Sequence, residues 1–309
     1  MLELIKNTNI DFLGKRNIAF VFSGIISLIG LFAMFQIAHG KANLGIDFAG
    51  GTSVQLKFEK PVKVHDIRTT LEEGGIRDFD LQELTGENKI LIRAKNIEIQ
   101  LGKVSEQITG IISQKFPANK FVVDSTTEIG PKVGGKLRAD AGMAIVFATV
   151  GILIYIAIRF KFNFAVGATV ATFHDVTAVL GIFYLLGKEI NLILVTALLT
   201  IAGYSLTDTV VVFDRIRENL GRLRKRPFVE IINVSINETL SRTILTGTTT
   251  MIVLVVLLVF GGPVIHDFAF GLFVGIITGT YSSIFVASPI LLLWEGKTLQ
   301  AGKNSKPQG

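Results

Sequence analysis

Two periodicities divide the chain. Six apolar blocks, approximately Ile18–Ala38, Ala139–Ile158, Phe164–Leu186, Leu192–Phe213, Thr243–Phe260 and Phe268–Leu293, lack the polar interruptions of a soluble helix. Each is close to the ~20 residues a helix needs to cross roughly 30 Å of hydrocarbon. In lipid a continuous helix keeps every backbone group paired, so six spanning helices are predicted. Between the first and second blocks the pattern changes. Val54, Leu56 and Phe58 alternate with Gln55, Lys57 and Glu59, which is strand periodicity. Val64, Ile67 and Leu71 follow helical spacing up to Gly74-Gly75. Phe79–Leu84 and Ile90–Ala94 read as strands around a Gly86-Glu87-Asn88 turn. Leu101, Val104, Ile108 and Ile111 form a second helical stripe, and Phe121–Thr127 a last strand. The order β-α-β-β-α-β predicts a ferredoxin-like split fold. The expected fold class is therefore membrane all-α with an inserted α+β ferredoxin-like domain. Its divisions are residues 1–38 (N-terminus and first span), 39–138 (inserted domain), 139–294 (spans two to six, with a loop at 214–242) and 295–309 (tail).

Composition agrees, with 49% hydrophobic residues among 309 and a mean hydropathy of +0.53. The pI near 9.4 raises nucleic acid as a partner, but the position of the charge argues against it. Lys6, Lys15, Arg16, Arg159, Lys161, Arg215, Arg217, Arg222, Arg224, Lys225, Arg226 and Lys297 all fall on one side of the six blocks. The short opposite loops, Gly187–Asn191 and Gly261–Asp267, hold only Lys188. The positive-inside rule then makes both termini cytoplasmic and the inserted domain extracytoplasmic, periplasmic in a Gram-negative cell. Arg222–Arg226 suits anionic lipid as well. The first block also suits a signal peptide, but it is long for one and Ala38-His39-Gly40 is a poor cleavage site. With no cysteine there is no disulfide, thiol nucleophile or thiolate metal site. No serine–histidine or metal-ligand constellation is evident, so neither catalysis, metal nor cofactor is expected.

Ionisable groups inside spans are costly and mark function. Asp175, beside His174, lies ~18 Å into the third span, near mid-depth. Asp208 lies ~9 Å inside the end of the fourth. Arg242 opens the fifth span, with Thr246 and Thr249 on its face, and Tyr204 and Ser205 share the face of Asp208. These stripes suggest a polar seam for proton or ion movement. Blander readings stand beside this one. Arg242 at a helix end can snorkel to the interface, and His174–Asp175 can be a hydrogen-bonded anchor. Asp214, Arg215 and Glu218 read as boundary charges, and His65 as a lone histidine on a solvated face. Gly271, Gly275 and Gly279 have the small-xxx-small spacing of a helix-packing face.

The stretch Gly203-Tyr-Ser-Leu-Thr-Asp208-Thr-Val-Val-Val-Phe-Asp214-Arg-Ile-Arg-Glu218-Asn219 resembles the fourth-span signature of the SecF proteins of the SecD/SecF protein-export family. Gly45-Ile-Asp47-Phe-Ala-Gly50-Gly51, Ile129-Gly-Pro131-Lys-Val133-Gly, His174-Asp175, Ser241-Arg242-Thr243 and Gly279-Thr-Tyr281-Ser-Ser283 match in order. Thr207 stands where the family often has Asn. The resemblance covers nearly the whole chain and implies half of an RND-superfamily transporter, with SecD supplying the other six spans. It further implies proton-driven help to late export through the SecYEG channel in the inner membrane, with SecA acting indirectly and YajC as a further partner. A translocating unfolded polypeptide and the bilayer complete the implied partners, and no nucleic acid is among them. By the same resemblance Asp208 is the family's intramembrane carboxylate and Arg242 its fifth-span arginine. A scaffold without ion coupling and a small-molecule exporter are the alternatives.

Overall fold

The computed structural model describes residues 8–84, 88–95 and 103–293. In chain order its elements are α1 (Arg16–Ala38), α2 (Ile46–Ala49), β1 (Gly51–Phe58), α3 (Val64–Glu73), β2 (Phe79–Leu84), β3 (Lys89–Lys95), α4 (Lys103–Lys115), β4 (Phe121–Ile129), α5 (Pro131–Arg159), α6 (Phe162–Leu185), α7 (Leu192–Arg222), α8 (Phe228–Phe260) and α9 (Gly262–Ser282). A π turn, Ser283–Ala287, carries α9 on toward Leu293. Six helices are long and apolar enough to cross a membrane. Lys6, Gly86, Glu87, Leu101, Lys297 and the 295–309 tail lie outside the described residues.

The six helices form two layers. α6, α7 and α9 are the most buried, while α1, α5 and α8 carry exposed apolar faces such as Ile18, Phe147, Ile158 and Phe260. In lipid those faces need no protein cover. α1 crosses α6 where two glycines meet. A Cβ on Gly30 would overlap the Thr177 carbonyl, and one on Gly181 would come 3.0 Å from the Gly30 nitrogen.

The inserted domain is a four-stranded antiparallel sheet in the order β2-β3-β1-β4, the order of a ferredoxin-like split fold, with a bulge between Gln55 and Leu56 opposite β4. Val54, Leu56 and Phe58 point into its core with Ile67 and Leu71 of α3. The buried stripe of α4 is Val104, Ile108 and Ile112, an i, i+4, i+8 row, rather than one through Ile111, which is only partly buried. Asn88 closes the β2–β3 hairpin at a φ of 50°.

The long helices overrun the apolar blocks. α5 starts at Pro131 and not near Ala139, because Gly130 and a proline in the first turn nucleate it early. The 214–242 segment is helix except at its centre, between Arg222 and Phe228, where a loop was expected. Polar contacts explain this. Asn219 donates to Ser235 (2.9 Å) and Glu238 (2.6 Å), and Arg215 and Arg222 also reach Glu238 (2.7 and 2.6 Å). At the same end Asn233 and Asn237, one turn apart, pair with the backbone of Ile10 and Phe12 and bind the N-terminal segment to α8.

The two connectors to the inserted domain pack on each other. Gly50 (φ 81°) abuts Pro131, and a Cβ on Gly134 would come 2.9 Å from the Gly50 nitrogen. Only a glycine tolerates both demands at Gly50.

Candidate functional site

Three helices converge on Asp175. Its Oδ2 accepts from Ser205 of α7 (2.5 Å) and Ser282 of α9 (2.8 Å), and its Oδ1 lies 3.0 Å from Nδ1 of His174. The carboxyl is fully buried and His174 nearly so. Nε2 of His174 is buried without a hydrogen-bond partner among the described residues. The His174 ring leans on Tyr281 of α9, whose hydroxyl donates to the Ala19 carbonyl of α1 (3.0 Å). Ser23 of α1 donates to the same hydroxyl (3.1 Å). Asp175 thus sits at a knot reaching α1, α6, α7 and α9.

Ser205 of α7 and Ser282 of α9 reach the same oxygen of Asp175 because α7 and α9 lie close. Gly271, Gly275 and Gly279 face Ala197, Ile201 and Ser205, each four residues after the last, so two matched rows run along one contact. This places the glycine stripe inside the chain's own bundle, not on an outer face.

Asp208 is one turn further along α7 and differs from Asp175. It is buried, and its Oδ2 has no hydrogen-bond partner among the described residues. The charge that acts on it is Arg242 of α8, with no ion pair within 4.0 Å formed among the described residues. Arg242 itself is exposed on the bundle surface. The Tyr204 hydroxyl donates to the Thr246 carbonyl (3.2 Å) and lies 3.2 Å from the Thr250 hydroxyl. Thr246 and Thr249 turn their own hydroxyls onto carbonyls of α8. The stripe read as Tyr204, Ser205 and Asp208 therefore divides, with Tyr204 facing α8 and Ser205 facing Asp175. Asp214 meets Arg159 (3.6 Å) and Arg217 (3.1 Å), while Arg215 joins Glu218 and Glu238.

At the other end a second polar junction ties the inserted domain to the bundle. Lys95 ends β3 and is buried; its ammonium donates to Asp80 (2.9 Å) and Asn43 (2.8 Å) and lies 3.2 Å from Glu189 in the α6–α7 loop. Arg93 also reaches Glu189 (3.1 Å). Asp47 accepts from the Leu192 N–H (3.0 Å), and Lys188 pairs with Asp267 in the second turn of α9 (2.7 Å). Burial acts to lower the Lys95 pKa, but the Asp80 hydrogen bond and the Glu189 charge outweigh it and hold the ammonium above its usual value.

Comparison with known proteins gives this geometry a setting. The family described as "Protein export membrane protein SecD/SecF, C-terminal" matches residues 111–297, and the "SecD/SecF GG Motif" matches 37–62. Protein translocase subunit SecF of Thermodesulfovibrio yellowstonii is 56% identical over 99% of this chain and 99% of its own. The chain belongs to the SecF family. Another SecF-family protein, from Calditerrivibrio nitroreducens, is 47% identical over 94% of this chain and 96% of its own. The crystal structure of SecDF from Thermus thermophilus, described as a translocon-associated membrane protein, superposes with a TM-score of 0.79 at 35% identity. It is matched over 94% of this chain but 39% of its own, and SecDF in a super-membrane-facing form gives 0.72 over 98% and 41%. This chain thus spans about two fifths of the SecDF chains. SecF-family membership makes it a multi-pass membrane protein with a role in protein translocation, a transport role rather than a catalytic one.

Sequence reading passed over Glu189 and Glu238, although each gathers two or more side chains from other elements. The available signal was an acid in a five-residue loop for Glu189. For Glu238 it was an acid on a helix facing a run of arginines.

Proposed function

We propose that this chain is the SecF half of a SecD–SecF pair in the inner membrane, lending the proton-motive force to late protein export through SecYEG. The observation that carries this reading is the placing of Asp208 on α7 within reach of the charge of Arg242 on α8, without a direct ion pair among the described residues. The first has a carboxylate oxygen buried in a span without a hydrogen bond among the described residues, the second is a guanidinium exposed on the same bundle. A guanidinium on a lipid-facing surface is costly, and a second six-helix half would cover it. An orphaned carboxylate beside it is sensitive to proton arrival, and one charge moved across 100 mV is worth ~2.3 kcal/mol. Asp175, with partners on both oxygens, serves in this reading as the anchor that fixes α7 so that Asp208 is presented in one place.

The test is export into vesicles with and without a proton gradient at matched protein levels. Asp208→Asn should insert and associate with SecD normally but lose the gradient-dependent part of the rate. Arg242→Lys should lose part of it, since lysine keeps charge without the planar fork, and Arg242→Ala nearly all. If Asp208→Asn and Arg242→Ala both retain that part, the chain is a scaffold.

A further inference from the structure

Two cavities adjoin where α1 ends and α5 begins. The first, about 360 Å³, is apolar and lined by residues including Met34, Ile37, Ala141, Ile145, Leu180 and Leu198. The second, about 450 Å³, lies toward the inserted domain and carries four charged side chains, Asp78, Asp80, Lys95 and Arg138. Both are lined by Phe48, Gly135 and Arg138, so the arginine stands at their junction. Met34, Ala139 and Gly142 on the apolar cavity are exposed, so it opens sideways between α1 and α5.

The depth of this junction follows from the helix. Arg138 and Arg159 both lie on α5. At 1.5 Å per residue they stand ~32 Å apart, close to the roughly 30 Å of hydrocarbon. Arg138 therefore lies at headgroup level, with the apolar cavity at acyl depth and the charged one among headgroups. Among the described residues Arg138 makes one hydrogen bond, to the Ile37 carbonyl at the end of α1 (3.3 Å). A guanidinium has five N–H donors, which leaves most of its fork for an oxyanion. Asp80 and Lys95 neutralise each other at 2.9 Å. The four charges sum to zero, which suits a ligand that is itself net neutral.

From this we infer that the slot between α1 and α5 is a binding site for one zwitterionic phospholipid, its phosphate on Arg138 and one acyl chain in the apolar cavity. The head amine then lies on the side of Asp78 and Asp80. A bidentate guanidinium–phosphate contact holds the head, the carboxylates of Asp78 and Asp80 favour an amine over an uncharged glycerol head, and the apolar cavity supplies most of the burial. The bound lipid fills the gap between the two helices that lead into and out of the inserted domain, next to the packed connectors.

Native mass spectrometry of the full chain, with equimolar phosphatidylethanolamine and phosphatidylglycerol in the detergent, reads this directly. One phosphatidylethanolamine should be retained in preference. Arg138→Gln should reduce retention about tenfold, the effect of losing one charge-assisted contact. Gly142→Leu keeps the arginine, and a Cβ there meets nothing within 4 Å; its side chain should fill the cavity and displace the lipid while thermal unfolding stays unchanged. Soluble glycerophosphoethanolamine should not compete, since it lacks the chain. Equal retention by both variants and the parent, equal uptake of phosphatidylglycerol, or competition by the soluble head alone would each overturn the proposal.

Discussion

Lys95 of the inserted domain and Glu189 of the α6–α7 loop stand 3.2 Å apart and nearly out of water. With Arg93 on the same carboxylate, they fasten the far end of β3 to a loop joining two central helices. The domain is thus held at the connectors and again at the latch. A tilt of α6 or α7 at this end has a direct mechanical route into the sheet.

Removing one partner from such a buried cluster leaves a charge stranded. Glu189→Leu should lower stability by ~3 kcal/mol and raise hydrogen exchange at β3 and the Asn43–Asp47 connector, with little change in the α7–α8 contact. Unaltered exchange at β3 would show that the domain is held by its connectors alone.

The latch should also be indifferent to ordinary changes of pH on its lysine side. The Lys95 pKa is raised from 10.5, so its contribution is fully present below that value and fades only as pH climbs through the higher folded value. Domain docking, followed by the distance between spin labels placed on the inserted domain and on the α6–α7 loop, should be constant up to about pH 10. A drop in docking near neutrality that disappears in Lys95→Met would contradict this assignment.

The glycine row of α9 packs on Ala197, Ile201 and Ser205 of α7 with no room for growth. Gly275→Leu must displace Ile201 and should cost roughly 1–3 kcal/mol; thermal unfolding in detergent checks it. Adding Ile201→Ala should restore part of the loss. No recovery in the double variant would mean the defect lies elsewhere than in this contact.

Topology has its own test. The charge of the short segments predicts a reporter at Asn88 to be active outside the cell membrane and one at Arg224 to be active in the cytoplasm. Activity at Asn88 on the cytoplasmic side would reverse the orientation.

Much of this architecture was legible because periodic signals repeat. Six apolar blocks and the alternation of Val54, Leu56 and Phe58 each involve many residues, so one misread position changes little. Helix ends were less legible, since Pro131 and the polar contacts of Asn219 and Glu238 extend helices past the hydrophobic limits. Asp175 and Asp208 stood out because each is an acid among apolar neighbours. Their different surroundings did not, because serines on two other helices decide them. Glu189 was invisible for the same reason, its cations lying far away in sequence and meeting it only through the fold.

The crossing of Gly30 and Gly181 carries a consequence for biosynthesis. The second glycine is made 151 residues after the first (181 minus 30), about 8–30 s later at roughly 5–20 residues per second. During that interval α1 has no α6 to receive it, and the inserted domain is completed while its first anchor still drifts among lipids. The notch at Gly30 is then a berth kept open for a late arrival, and a bulkier residue there would injure the nascent protein at the moment α6 enters the bilayer, before any transport begins.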